Sequence, residues 1–93
     1  MASKAVNNYI TKRYERWLDY SLYHCGLAGI PDEATDVLNE GICSLLQKKN
    51  RLLDKLLETK KNGYTELDFF VLKMIKLNAS SPTSQYRSRY KPL

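Results

Sequence analysis

Apolar side chains recur at intervals of three and four residues through successive stretches of this chain, the period of an α-helix packed on one side. The first series is Val6, Ile10, Tyr14, Trp17, Ser21 or Leu22, and Cys25, centred on Trp17 and Leu18. Lys12, Arg13, Glu15, Arg16 and Asp19 fill most of the other positions, so the spacing predicts an amphipathic surface helix from about Lys4 to Cys25. Ser3 is placed to cap its start and Gly26 to end it in the left-handed conformation. Ile30-Pro31-Asp32-Glu33 opens a second helix, because proline at a first helical position has no N–H to lose. Asp32, Glu33 and Asp36 put negative charge on the positive end of its dipole. Ala34, Val37, Leu38, Ile42, Leu45 and Leu46 make its inner stripe, and Gly41 marks a close approach of a neighbouring helix.

Leu52, Leu53, Leu56 and Leu57 continue the pattern after the polar run Gln47 to Arg51. One long bent helix and two separate helices both fit, and a break near Lys49-Asn50 is the reading we favour. Lys60-Lys61 suit a helix C-terminus and Asn62-Gly63 is a stop. The last helix starts at Thr65, where Thr65-x-x-Asp68 is a capping box with Asp in place of Glu. Its inner face is Leu67, Phe70, Val71, Met74 and Ile75, widened by Phe69 and Leu72. Beyond Asn78 the polar, helix-breaking run Ala79 to Ser84 reads as loop. The expected architecture is all-α: a small bundle of three to four helices in one domain, residues 1–79. A basic aromatic tail or linker, residues 80–93, follows it, partly disordered until a partner orders it.

Ninety-three residues leave no room for a second core, and 4 Gly and 3 Pro do not build a loop-rich enzyme. No Gly-rich phosphate loop, metal-ligand spacing or Ser/His/Asp set occurs, so neither catalysis nor a cofactor or metal is expected. His24 is the sole histidine, and next to Cys25 on a helix it points away from the thiol. Cys25 and Cys43 fall on apolar faces and are expected to be buried, inert thiols of a reducing cytosol. No apolar run nears the ~18–20 residues that span a bilayer, and Met1-Ala2-Ser3-Lys4 leads into no signal peptide. A cytoplasmic location with no membrane partner follows as an expectation.

Net charge is +5, and its distribution is uneven: residues 1–30 carry +2, residues 31–59 carry −2 and residues 60–93 carry +5. Lys73 and Lys76, three apart, share a helix face that leads toward Tyr86, Arg87, Arg89, Tyr90 and Lys91. Cations neutralise phosphates, and exposed phenol rings stack on unpaired bases, so these seven residues are the candidate nucleic-acid contacts, with single-stranded DNA as one partner. Tyr86 and Tyr90 folded back on the core as amphipathic covers is the competing reading. The leucines from Leu45 to Leu57 exceed what so small a core buries, which fits a protein-interaction or homo-oligomer surface instead.

The order of these elements resembles the second conserved region of bacterial RNA polymerase sigma factors, over about residues 14–91. Asp32-Glu33-Ala34-Thr35-Asp36, then Asn39-Glu40 and Ile42, stand where that family has an Asp-x-Ala-x-Asp-like stretch followed by Gln-Glu and aliphatics. Leu72, Ile75 and Asn78 match its later helix, with Val71 at the family's Trp position, and Arg87, Arg89 and Lys91 match its arginines. The resemblance implies a DNA-binding module acting with the polymerase core in transcription initiation. By position, Asp32, Asp36, Asn39 and Glu40 would face polymerase, and Lys73, Lys76, Tyr86, Arg87, Arg89 and Tyr90 would face DNA. A small helical protein-interaction unit without a nucleic-acid role is the alternative.

Overall fold

In the computed structural model, which describes residues 3–80, Ser3 starts helix α1 (Lys4–Leu27) by accepting the Val6 N–H on Oγ at 3.2 Å. Its own hydroxyl donates to Asp54 Oδ1 at 2.8 Å, which ties the start of α1 to a helix 51 residues away. The helix runs two residues beyond the expected Cys25, and Gly26 lies inside it. The left-handed residue is Gly29, at φ +79°. Gly29 N–H bonds Gly26 O at 3.2 Å and Ile30 N–H bonds Cys25 O at 2.8 Å, the paired closure of a Schellman motif with Ile30 folded back toward the core.

Pro31–Glu33 forms a 3₁₀ turn ahead of helix α2 (Ala34–Leu46), so the proline prepares the helix from outside it. The chain breaks at Gln47–Lys49 and resumes as helix α3 (Asn50–Glu58), as the favoured reading had it. Asn62-Gly63 is more than a stop. At φ 55° and 83° the two residues make a tight turn joining strands β1 (Lys60–Lys61) and β2 (Tyr64–Thr65), which pair antiparallel. Helix α4 (Glu66–Ser80) follows at once and carries Ala79, fully buried, and Ser80 as its last residues. It therefore extends past Asn78, into the stretch expected to be loop.

Side-chain pairs fix the helix directions. Tyr14 Oη donates to Asn39 Oδ1 at 3.0 Å and Ser21 Oγ to Ala34 O at 2.7 Å, so α1 and α2 are antiparallel. Trp17 meets Asp68 while His24 feels Lys76, so α1 and α4 run the same way. Gly41 faces Met74 and Lys48 faces Phe70, so α2 opposes α4. α2 returns the chain between that parallel pair, and α3 with the hairpin carries it across the base, beside Ser3, from the end of α2 to the start of α4. The acidic start of α2 and the end of α4 consequently share the opposite end.

Between the three long helices lie Val6, Trp17, Cys25, Val37, Leu38, Leu45, Leu67, Val71, Ile75 and Ala79, all buried, with Leu53 the one buried leucine of α3. Ser21, not Leu22, faces this core. A β-carbon on Gly41 would stand 3.4 Å from Met74 Cβ, which confirms the close approach of α2 to α4. Cys43 is exposed, against expectation, because the core-facing row of α2 passes through Gly41 and Leu45 and turns Cys43 outward. Leu46 and Phe69 are exposed for the same reason: each lies at the edge of its stripe, past the reach of the neighbouring helix.

Candidate nucleic-acid interface

Asp68 organises the base of the bundle. It is 1% exposed, and its Oδ2 accepts the Thr65 N–H at 2.9 Å and the Thr65 hydroxyl at 3.1 Å. Thr65 Oγ1 in turn accepts the Asp68 N–H at 3.2 Å, so the capping box expected there is complete. The same carboxylate accepts the Tyr9 hydroxyl on Oδ2 and the Trp17 indole N–H on Oδ1 at 2.9 Å. Arg13 Nε stands 3.9 Å from Oδ1, and its guanidinium donates to Tyr9 Oη at 3.0 Å and to Gly63 O at 3.2 Å. Burial alone would raise the Asp68 pKa. The bonds from Tyr9, Thr65 and Trp17, with the Arg13 charge, outweigh it and hold the carboxyl below its ordinary value. Periodicity had put Arg13 on the solvent side, yet the hairpin folds over it. No local signal announces that network.

This locked base positions an exposed row on α4. Phe69, Lys73 and Lys76 are spaced by four and three residues and so share one face. Phe69 is 41% exposed and both lysines are exposed. At the foot of the row, the Tyr64 ring lies 6.0 Å from the Phe69 ring at 47°, with the Arg13 guanidinium 5.9 Å from its centroid. Lys61 is the direct partner of Tyr64 across the two-residue ladder, so both side chains stand on one face of the hairpin. The row thus reads Lys61, Tyr64, Phe69, Lys73, Lys76, with half-buried Glu66 beside it. Sequence reasoning found the two lysines and missed Lys61, Tyr64 and Phe69. The Asn-Gly dipeptide was the available signal, since it marks a hairpin as strongly as a helix stop.

At the other end of the bundle Asp32, Asp36 and Asn39 are exposed, whereas Glu40 is only 6% exposed. Three of the four residues assigned to a polymerase contact therefore lie at the surface, and Glu40 faces inward. Asn39 Oδ1 is engaged by Tyr14. Lys76 lies near His24, whose pKa is lowered first by burial and then by that lysine's charge. Tyr86, Arg87, Arg89, Tyr90 and Lys91 lie outside the described residues.

Among the described residues no group of three or more His, Cys, Asp or Glu is placed to hold a metal ion, and no helix is long and apolar enough to cross a membrane. A scan of protein-family models, a search of curated proteins and a search of solved structures each returned no match to this chain.

Proposed function

We propose that this chain is a sigma-factor-like module that binds DNA along α4 and docks on RNA polymerase through the start of α2. One observation carries the reading: the exposed row Lys61, Tyr64, Phe69, Lys73, Lys76, which sets two rings between cations along the hairpin and α4. Ammonium groups displace counterions from phosphates, and each ring stacked on an unpaired base contributes roughly 1–3 kcal/mol. Because Asp68 ties the hairpin, α1 and α4 together, the row is presented by rigid elements, which limits the entropy lost on binding. Asp32 and Asp36 are free at the surface to meet a basic helix of a protein partner, with Asn39 beside them.

Fluorescence anisotropy with single- and double-stranded DNA over a salt series tests the first half. Replacing Lys73 and Lys76 together by Gln should weaken binding to single strands and flatten the log–log salt slope by about 1.4, at ~0.7 per phosphate contact. A chain ending at Ser80 should bind more weakly still. Pull-down of core polymerase that survives intact in an Asp32→Asn/Asp36→Asn variant, or undetectable DNA binding at low salt, would overturn the corresponding half.

A further inference from the structure

A cleft of about 360 Å³ opens between α3 and α4, on a side of the molecule that the core leaves unfilled. Leu52 and Leu56, one helical turn apart, form one wall, and Phe69 and Phe70 form the other. Leu52 is 42% exposed although it belongs to the same leucine run as buried Leu53. The bundle takes up one row of α3 and leaves the next row facing water. Lys48 and Lys73 stand on the rim against the single carboxylate of Glu66, and the Lys48 ammonium is held 4.6 Å from the Phe70 ring centroid.

We infer that this cleft receives an amphipathic helix of a partner protein, one carrying leucine- or phenylalanine-sized anchors on one face and carboxylates beside them. The volume is at the low end of the roughly 300–1,000 Å³ typical of ligand pockets, which suits the side chains of one or two helix turns. Two helices forming the walls match the helix-in-groove mode, and the two-residue strands offer too short an edge for an added strand. Charge selects the occupant. Two cations against one anion favour acidic flanks and disfavour this chain's own Arg87, Arg89 and Lys91. The aliphatic wall has no donor or acceptor for a base edge, so a nucleobase seated there would lose hydration without replacement. The cleft shares Phe69 and Lys73 with the α4 row, so a seated helix should compete with DNA along that edge, whereas Leu52 and Leu56 belong to the cleft alone.

The test uses the full chain and a labelled synthetic helix with leucine at every third or fourth position and glutamate elsewhere, beside the same helix with lysine for glutamate. The glutamate helix should bind at least tenfold more tightly than the lysine helix and shift the amide NMR signals of residues 48–56 and 66–73. Leu52→Asp, at a position already open to water, should weaken that binding tenfold or more while helicity by circular dichroism stays unchanged. Equal binding of both helices, no binding of the glutamate helix, or shifts confined to other faces overturns the inference. So does sedimentation showing a self-associated chain that Leu52→Asp dissociates, which would make a second copy the occupant.

Discussion

Replacing Asp68 by Asn keeps the volume of the side chain and removes one acceptor, which makes it the sharpest probe of the base of the fold. The carboxylate offers one oxygen to Trp17 and the other to Tyr9 and Thr65. An amide has one oxygen, so either orientation turns an NH₂ toward a donor. With Oδ1 kept on Thr65 and Tyr9, the Trp17 indole N–H is left without an acceptor at a site 1% exposed. A buried donor stripped of its partner costs about 1–3 kcal/mol, and the loss of charge-assisted bonds adds to that, so we expect about 2–3 kcal/mol. Against roughly 5–14 kcal/mol for a chain of this length, the loss should lower Tm by roughly 10–20 °C. Urea unfolding followed by Trp17 fluorescence and by circular dichroism measures it. The pH dependence has a definite sign. A depressed carboxyl pKa stabilises the fold above the unfolded value of about 3.9, and that contribution disappears as pH falls through the lower folded value. The gap between wild type and Asp68→Asn should therefore be constant near neutrality and narrow below about pH 4. A stability change under about 0.5 kcal/mol, or a gap as wide at pH 3 as at pH 7, refutes the network's role.

Other sites give shorter tests. Gly41→Ala gains up to about 1 kcal/mol of helix propensity and meets Met74 Cβ at the short end of ordinary contact, so chemical denaturation should find it neutral to mildly stabilising. Gly41→Leu should cost more than about 2 kcal/mol by forcing α2 off α4. Asn78 is fully buried, and neither atom of its amide finds a hydrogen-bond partner among the described residues. Asn78→Leu should then stabilise the chain by about 1–2 kcal/mol, and a loss of that size would reveal a partner outside residues 3–80. A thiol reagent should titrate one cysteine, Cys43, in the native protein and both after denaturation, with two fast equivalents in the native state as the contrary result. Lys76→Gln should raise the His24 pKa in an NMR titration, and an unchanged value would place the lysine farther away than its influence on His24 requires.

What the sequence made legible was local. The Ser3 cap, the break before Asn50 and the Thr65–Asp68 box each depend on residues within one helical turn, and each stands in the structure. At the end of α1 packing overrides the local answer, since Gly26 is the expected stop and the bond from Ile30 back to Cys25 puts the left-handed residue at Gly29. Where two local answers tied, packing chose between them. Ser21 and Leu22 can both continue the stripe, and the approach of α2 selects the small hydroxyl that reaches Ala34 O. Periodicity also overstates burial, because it marks a stripe without saying how much of it a neighbour covers; Leu46, Leu52 and Phe69 are the result.

The candidate surfaces were legible only in part, for a related reason. Asp68 reads in sequence as a partner of Thr65, three residues away, whereas its bonds from Tyr9 and Trp17 cross 59 and 51 residues. Those long-range bonds seat the start of α4 against α1, and Arg13 then pins the hairpin by its bond to Gly63 O. With the hairpin pinned, Tyr64 stands beside Phe69 and extends the lysine face of α4 downward into a row of rings and cations. The link from α2 to α4 has a second consequence. With α2 already returning the chain to the base, the link crosses that base from the end of α2 to the start of α4, and it includes an amphipathic helix with more leucine than the bundle covers. This one linking segment thus supplies both the hairpin foot of the α4 row and the leucine wall of the open cleft beside it, so loosening Asp68 should disturb the row while leaving the leucine wall of α3 in place.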